Sequence, residues 1–480
     1  MDYEAVIGME VHAQILTRSK LFCGCSSDYA SAPPNTHTCP VCLAMPGVLP
    51  VINRAAVEAT VRAGLALGCE VPPFTKFDRK NYHYPDLPKG YQISQYDHPL
   101  CQHGHLDVVA NGQAKRIRIR RVHLEEDTAK LVHAEGSSLI DFNRSGVPLM
   151  EIVTESDLRS AEEAYDYLTK LHTILRYLGV STGNMEEGAM RCEVNISIRP
   201  RGSETYGTKV EVKNLNSFRS VRLAIAYEIE RQARLLSEGG RVEQVTMGWD
   251  ERSHRTVFQR TKEEAQDYRY FPDPDLPPLE PSREWVEQMR ASLPELPAAK
   301  TARLAAEYGL RAEDAALLAE DRAIADFFEA AARAAGDVSA QAVANWTVGE
   351  VFRLLREGGT DVASAALTPE LLAELVGLVE SGAINATVGK EVLTETFASG
   401  EAPTAIVARR GLRQISGADE LREVVRQALD ANARAVNDYL GGKTAVMGFL
   451  IGQVMRLTRG KANAQTAEAL LTQALEERRA

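Results

Sequence analysis

Apolar and polar positions alternate strictly in several short stretches of the first half of the chain. In "AVIGMEVHAQI", Ile7, Met9, Val11 and Ile15 share one face, and Glu10, His12 and Gln14 share the other. "MRCEVNISIR" sets Cys192, Val194, Ile196 and Ile198 against Arg191, Glu193, Asn195 and Ser197. "KVEVK" sets Val210 and Val212 against Lys209, Glu211 and Lys213. In "RRVHLEED", Val122 and Leu124 oppose Arg121, His123, Glu125 and Asp127. Strands with one apolar and one polar face predict an antiparallel sheet whose apolar side packs on helices. One parity conflict stands out. Ile117 and Ile119 are out of phase with Val122 and Leu124, which calls for a bulge near Arg120–Arg121 or for burial of both faces.

The pattern changes after the proline-dense "FPDPDLPPLEPSREW" (271–285), which neither a helix nor a central strand can continue. Ala- and Leu-rich stretches at helical spacing follow, punctuated by Pro and Gly, with a further break near 399–411. The expected organisation is α+β: an N-terminal antiparallel-sheet catalytic domain (1–292), an all-helical domain (293–406) and a small helical tail domain (407–480). With 480 residues, the chain is too long for one core. It has no apolar run long enough to span a bilayer, and its acidic N-terminus is unlike a signal peptide. A cytoplasmic protein without membrane association is expected.

The formal net charge of −11 argues against nucleic-acid binding by the whole surface. Two local basic stretches remain, "KRIRIRR" (115–121) and "RLTRGK" (456–461), each readable as a solvated charged face or as a local basic patch for nucleic acid. Four of the seven cysteines cluster, Cys23 and Cys25 in C-x-C, Cys39 and Cys42 in C-x2-C. That spacing points to a closed, structural tetrathiolate zinc site on a loop at 23–42, with His37 as a possible substitute ligand. No βαβ context supports a redox reading. On the polar side of the strands, Glu10, His12, Glu125, Glu193 and Glu211 would gather if register permits. Carboxylates collected in a cleft need compensation, and oxygen ligands with one imidazole suit Mg2+ or Mn2+. A water-facing polar sheet with salt bridges to nearby arginines accounts for the same pattern. "LGGKTAV" (440–446) carries the GKT of a phosphate loop, but Asn437 stands where the loop needs Gly and no strand precedes it.

Long stretches resemble the GatB family, the kinase and transamidase component of the glutamyl/aspartyl-tRNA amidotransferases: "GMEVHAQILTRSKLFC", "KNYHYPDLPKGYQISQY", "HLEEDTAK", "DFNRSGVPLMEIVTE", "GNMEEGAMRCEVNISIR", "KVEVKNLNSF", "DYRYFPDPDLP" and, near the end, "GFLIGQVMRLTRGKAN". The chain departs from the family pattern in "TMGWDE", where an ETR usually precedes WDE, and at Ser156, usually Pro. The resemblance implies a catalytic domain similar in fold to glutamine synthetase. It also implies a reaction: ATP phosphorylates the side-chain carboxylate of Glu on tRNA(Gln) or Asp on tRNA(Asn), and ammonia then displaces the phosphate. A separate amidase (glutaminase) subunit would supply ammonia from glutamine, and a small third subunit would join the two. On matching positions it implies Glu10, His12, Glu125 and Glu211 as Mg2+ ligands, with Glu193 and Glu151 as further ligands or general base. Glu126 and Asp127 would be supporting residues. Lys80, Tyr82 and Lys89 would contact nucleotide or acceptor end, or else belong to a rigid Pro-Gly turn. Arg456, Arg459 and Lys461 would contact tRNA phosphates. A stand-alone carboxylate–amine ligase acting on a small amino acid is the second reading, and a non-enzymatic zinc-bearing tRNA binder the third.

Overall fold

The computed structural model describes residues 2–261, 267–414, 418–458 and 462–479. Two compact units divide the chain, Met1–Leu296 and Pro297–Ala480.

The first unit contains thirteen strands among the described residues: β1 (Tyr3–Gln14), β2 (Asp78–Asn81), β3 (Tyr91–Ser94), β4 (Cys101–Ala110), β5 (Gln113–Glu126), β6 (Lys130–Ala134), β7 (Ser137–Asp141), β8 (Pro148–Thr154), β9 (Met190–Pro200), β10 (Val210–Leu215), β11 (Val245–Asp250), β12 (Arg255–Thr261) and β13 (Phe271–Pro272). Eight of them form one sheet in the order β12-β11-β10-β9-β1-β8-β5-β4. Neighbours run antiparallel except β10 and β11, which are parallel. Helix α3 (Phe218–Ser237) makes the crossover that a parallel pair requires.

The apolar face is buried as alternation predicts. Ile7, Met9 and Val11 of β1, Ile15 just after it, and Val194 and Ile196 of β9 join one core with Val122 and Leu124 of β5. Helices α1 (Arg54–Ala66), α2 (Ala161–Tyr177) and α3 cover this face. α2 shows how: Ser160 caps its N-terminus by accepting from the Glu163 amide, and Ala164, Tyr167, Leu168, Leu171, Ile174 and Leu175 repeat at helical spacing on the buried side. Each large apolar side chain of β1 contributes roughly 1.5–3 kcal/mol by burial. A one-residue slip would turn these side chains out of the core and bring Glu10, His12 and Gln14 toward it, so the register is firmly held.

The parity conflict in β5 is resolved by a bulge. Ile119 pairs with Thr154 and Arg121 with Val153, leaving Arg120 as the extra residue. Ile117, Ile119, Val122 and Leu124 therefore all reach the core. A second, three-stranded sheet, β13-β2-β3, contacts the polar side of the large sheet through β3 and β5. Ser94 and Ile93 of β3 meet Glu125 and Glu126, which are buried and not water-facing.

The second unit is built of helices, from Pro297–Tyr308 to Ala464–Arg479. Gly359, Gly400 and Gly411 end three of them in the left-handed conformation that lets orphan carbonyls find partners. Two apolar cores lie within it, one between Leu304 and Val407, the other between Leu421 and Leu475. The GKT stretch is a turn and a short 3-10 helix, Thr444–Val446, after the helix Ala433–Leu440, so no strand feeds it. No described helix is long and apolar enough to cross a membrane.

Candidate active site and metal centre

Register brings the chemistry together. His12 of β1 lies opposite Glu151 of β8, and Glu151 opposite His123 of β5. Glu125 stands two residues further along β5 on the same face. His12 Nε2 is 3.5 Å from Glu151 Oε2 and 3.6 Å from Glu125 Oε1. His123 Nε2 is 3.1 Å from Glu151 Oε2 and 3.6 Å from Glu125 Oε2. Two imidazoles thus flank two carboxylates. One donor atom from each of His12, Glu125 and Glu151 lies within 4.8 Å of the others.

Electrostatics are strong here because the cluster is buried. Burial works against charge on His12, but Glu151, Glu125 and Glu193 outweigh it and hold its pKa at about 9. Burial likewise opposes charge on Glu151, yet His123 and His12 hold its carboxyl well below the usual range. For Glu125, burial and Glu151 push up while His123, Lys80 and His12 win and lower it. Glu10 behaves differently: burial, then Glu151 and Glu193, push its carboxyl up.

The other sequence-predicted residues surround this cluster. Glu10 lies across from Glu193 and accepts from Asn195 Nδ2 at 3.0 Å. Glu193 is paired with Lys213 at 2.8 Å. Glu211 accepts from Thr246 Oγ1 at 2.8 Å and has Lys213 at 3.9 Å. Among the described residues, Glu10 and Glu211 stand outside the tight triad, and Glu151 stands inside it. The second sheet supplies the opposite wall. Ser94 Oγ donates to Glu125 at 3.0 Å. Lys80 lies 5.0 Å from the centre of the Tyr268 ring, and Glu125 and Glu151 favour its charge against burial. Tyr82 stacks on Tyr84, with ring centres 5.8 Å apart. Lys89 turns elsewhere, into an ion pair with Glu126.

The three consecutive carboxylates therefore have three separate environments. Glu125 faces the histidines. Glu126 Oε1 accepts from the Ile93 amide at 2.9 Å and from Lys89, holding β3 to β5. Asp127 accepts from Arg191 and Gln14 Nε2, each at 2.8 Å. Its carboxyl is lowered although burial opposes this, through Arg191 and Arg144.

Sequence reasoning assigned no role to His123, Ser94, Thr246 or the Tyr268–Tyr270 wall. His123 had a visible signal, sharing the polar face of β5 with Glu125. Tyr270 stacks on Tyr96 at 4.4 Å between centres; only the aromatic density of "DYRYF" hinted at it.

The cysteines converge as their spacing predicts. The Sγ atoms of Cys23, Cys25, Cys39 and Cys42 all lie within 4.8 Å of one another. A tetrahedral zinc with bonds of about 2.3 Å needs sulfurs about 3.8 Å apart; Cys39 and Cys42 are at 3.9 Å. The Cys39 amide donates to Cys42 Sγ at 3.1 Å, as befits a thiolate ligand. His37 is not one of this group. In the second unit Arg456 is exposed near the end of the helix Met447–Leu457. Arg459 and Lys461 lie outside the described residues.

Comparison with known proteins extends this geometry. The family model described as the GatB/GatE catalytic domain matches residues 5–287, and the one described as the GatB domain matches 326–475. A protein of Thermomicrobium roseum, named as the B subunit of an aspartyl/glutamyl-tRNA(Asn/Gln) amidotransferase, is 56% identical over 482 residues, covering 99% of each chain. Proteins of the same name from Dehalococcoides mccartyi and a Roseiflexus species are each 53% identical, again over 99% of both chains.

Proposed function

Since this chain belongs to the GatB family of the aspartyl/glutamyl-tRNA(Asn/Gln) amidotransferases, we propose that it activates and amidates the side-chain carboxylate of Glu esterified to tRNA(Gln), Asp esterified to tRNA(Asn), or both. A side-chain carboxylate oxygen attacks the γ-phosphorus of ATP; the bond to the β–γ bridging oxygen breaks and ADP leaves. Ammonia then attacks the acyl carbon of the mixed anhydride, inorganic phosphate departs, and the nitrogen gives up a proton. The observation that carries this reading is the buried cluster of His12, Glu125 and Glu151 beneath Lys80 and the tyrosine wall.

One imidazole and two carboxylates fit a hard divalent cation of the Mg2+ class. His12, Glu125 and Glu151 would hold it, with Glu10 and Glu211 close by, and its chemistry when bound is neutralisation and alignment of phosphate oxygens. His123 orients Glu151 and Glu125 from behind. Glu10, whose carboxyl is raised and which is held by a single amide donor from Asn195, is suited to accept the proton from the attacking nitrogen; Glu193 is engaged by Lys213. Lys80 and Tyr82 line the nucleotide or acceptor-end side. Cys23, Cys25, Cys39 and Cys42 would hold a structural Zn2+. Arg456, with Arg459 and Lys461, supplies phosphate contacts to tRNA from a tail domain at 407–480. An amidase (glutaminase) partner and a small third partner complete the assembly, in the cytoplasm.

The test supplies the assembled complex with misacylated Glu-tRNA, ATP, Mg2+ and ammonium chloride, without glutamine. Gln-tRNA should form, and Glu125→Gln should abolish it. An Asp-tRNA arm decides the substrate. Free glutamate should leave ATP unhydrolysed; glutamate-stimulated hydrolysis without amidation of either tRNA would favour the stand-alone ligase instead.

A further inference from the structure

The basic run 115–121 is nearly neutralised residue by residue. Lys115 pairs with Glu163 at 2.8 Å, Arg116 with Asp107 at 2.9 and 3.1 Å, Arg118 with Asp157 at 2.7 and 2.9 Å, and Arg120 with Glu155 at 2.8 and 3.0 Å. Arg121 is the exception. Its side chain makes no hydrogen bond or ion pair with any described residue, and its Nε is buried without a partner. The bulge at Arg120 is what sets it apart. After the extra residue, Arg121 returns to register opposite Val153, two positions before His123 opposite Glu151. Two positions on a strand share a face and lie about 7 Å apart. Arg121 therefore stands on the reactive face, in line with His123 and Glu125.

Lys80 reaches the same region from β2. It makes no ion pair with a described carboxylate and rests against the Tyr268 ring. The phenol of Tyr270 senses both cations: burial pushes it up to about 12 against their opposing charges. An unpaired buried guanidinium donor costs of order 1–3 kcal/mol or more. Two unpaired cations beside Glu125 and Glu151, with those carboxylates turned to the histidines, leave a place for an anion richer in charge than a carboxylate.

Resting on the proposed function, we propose that Arg121, together with Lys80, binds phosphate oxygens of the ATP triphosphate. The planar fork of Arg121 matches two phosphate oxygens at once, a geometry that Lys80 cannot provide alone.

The experiment uses the assembled complex with ammonium as nitrogen donor. Arg121→Gln should raise the KM for ATP about tenfold or more and leave the KM for Glu-tRNA within about twofold. ATP binding should weaken by a similar factor, while adenosine binding stays unchanged. Arg121→Lys should recover part of the loss. Arg118→Met, which breaks only an exposed ion pair, is the control that should retain wild-type activity. Melting of Arg121→Gln should be no lower than the wild type, since the residue satisfies no partner and its buried donor is itself a cost. Unchanged ATP parameters, a shift in the tRNA KM alone, equal weakening of adenosine, or a fall in melting temperature in both Arg121 variants that accounts for lost activity would each overturn the assignment. If the wild-type complex itself forms no amide on either tRNA, it is the parent reading that fails.

Discussion

Glu126→Gln separates a clamp from a catalyst at neighbouring positions. The substitution keeps the shape of the side chain and removes its charge. Glu126 is buried, accepts from the Ile93 amide at 2.9 Å and pairs with Lys89. A neutral amide can still accept from Ile93, so that hydrogen bond is weakened and not lost. Lys89 loses its counter-ion. Deleting one partner of a fully buried pair costs about 3–5 kcal/mol, but the Lys89 side chain retains 15% exposure and can turn toward water. About 2 kcal/mol is the reasonable cost. For a unit of this size each kcal/mol shifts the melting temperature by roughly 1.5–2 °C, so Glu126→Gln should melt about 3–4 °C lower. Its amidation rate should fall only as far as β2 and β3, which carry Lys80 and Ser94, lose their seat on β5. Addition of saturating ATP should restore part of the stability. Glu125→Gln should show the reverse: loss of about a thousandfold or more in ammonium-dependent amidation, comparable to deleting a key transition-state group, with a smaller change in melting. Thermal melting and steady-state amidation on the same three preparations decide the matter. Wild-type melting with abolished activity in Glu126→Gln would refute the clamp.

Further outcomes follow from other parts of the molecule. Cys39→Ser, or a strong zinc chelator, should lower the melting temperature and release about one zinc per chain, measured by metal analysis of the purified protein. Gly64→Ala should destabilise by about 1–3 kcal/mol in urea melts, because a Cβ there would lie 2.3 Å from Cys101 Sγ and force α1 away from β4. Glu329 is held below its ordinary value of 4.5, first by hydrogen bonds from Arg303 against the cost of burial. Its contribution is therefore present above that value and disappears as pH falls through the lowered one; Glu329→Gln should destabilise at pH 7 and much less near pH 3, read by chemical denaturation. Arg456→Glu should weaken tRNA binding and flatten its dependence on salt, by filter binding at several ionic strengths.

What could be read in advance divides along physical lines. Alternation in β1, β5, β9 and β10 was legible because one face of each meets helices. The bulge was half legible: the parity of Ile119 and Val122 called for it or for burial of both faces, and the pairing of β5 with β8 decides for the bulge. Glu151 was harder: "PLMEIVT" is buried on both faces, so it reads as an apolar run with one misplaced acid. Its place between His12 and His123 depends on β8 lying between β1 and β5, and strand order leaves no mark in local sequence. The same holds for the parallel pair β10 and β11. Separate fates for Glu125, Glu126 and Asp127 could be halved by parity, which sends Glu126 the other way. That it meets Lys89 and the Ile93 amide required a second sheet that no single stretch announces. The cysteines needed no tertiary information beyond loop closure, since C-x-C and C-x2-C already fix which thiols can meet.

Burial of the polar face itself bears on the chemistry. A water-facing row of His12, Glu151 and His123 would be screened, and its charges would interact weakly. Covered by β2, β3 and the wall of Tyr96, Tyr268 and Tyr270, the same row lowers the carboxyls of Glu125 and Glu151 and raises the imidazole of His12 away from their ordinary ranges. The covering has a second consequence for the proposed reaction. A mixed anhydride of carboxylate and phosphate is open to attack by any nucleophile, and water is present at a concentration ammonia cannot match. A site that accepts an acyl phosphate must exclude bulk water until the amine arrives. The Glu126 clamp and the stacked Tyr96–Tyr270 pair both join that cover to the sheet carrying the carboxylates or extend its wall. Loosening the cover should therefore uncouple the reaction: in Glu126→Gln, ATP hydrolysis dependent on misacylated tRNA should exceed amide formation, whereas tight one-to-one stoichiometry in that variant would show that water exclusion does not depend on this contact.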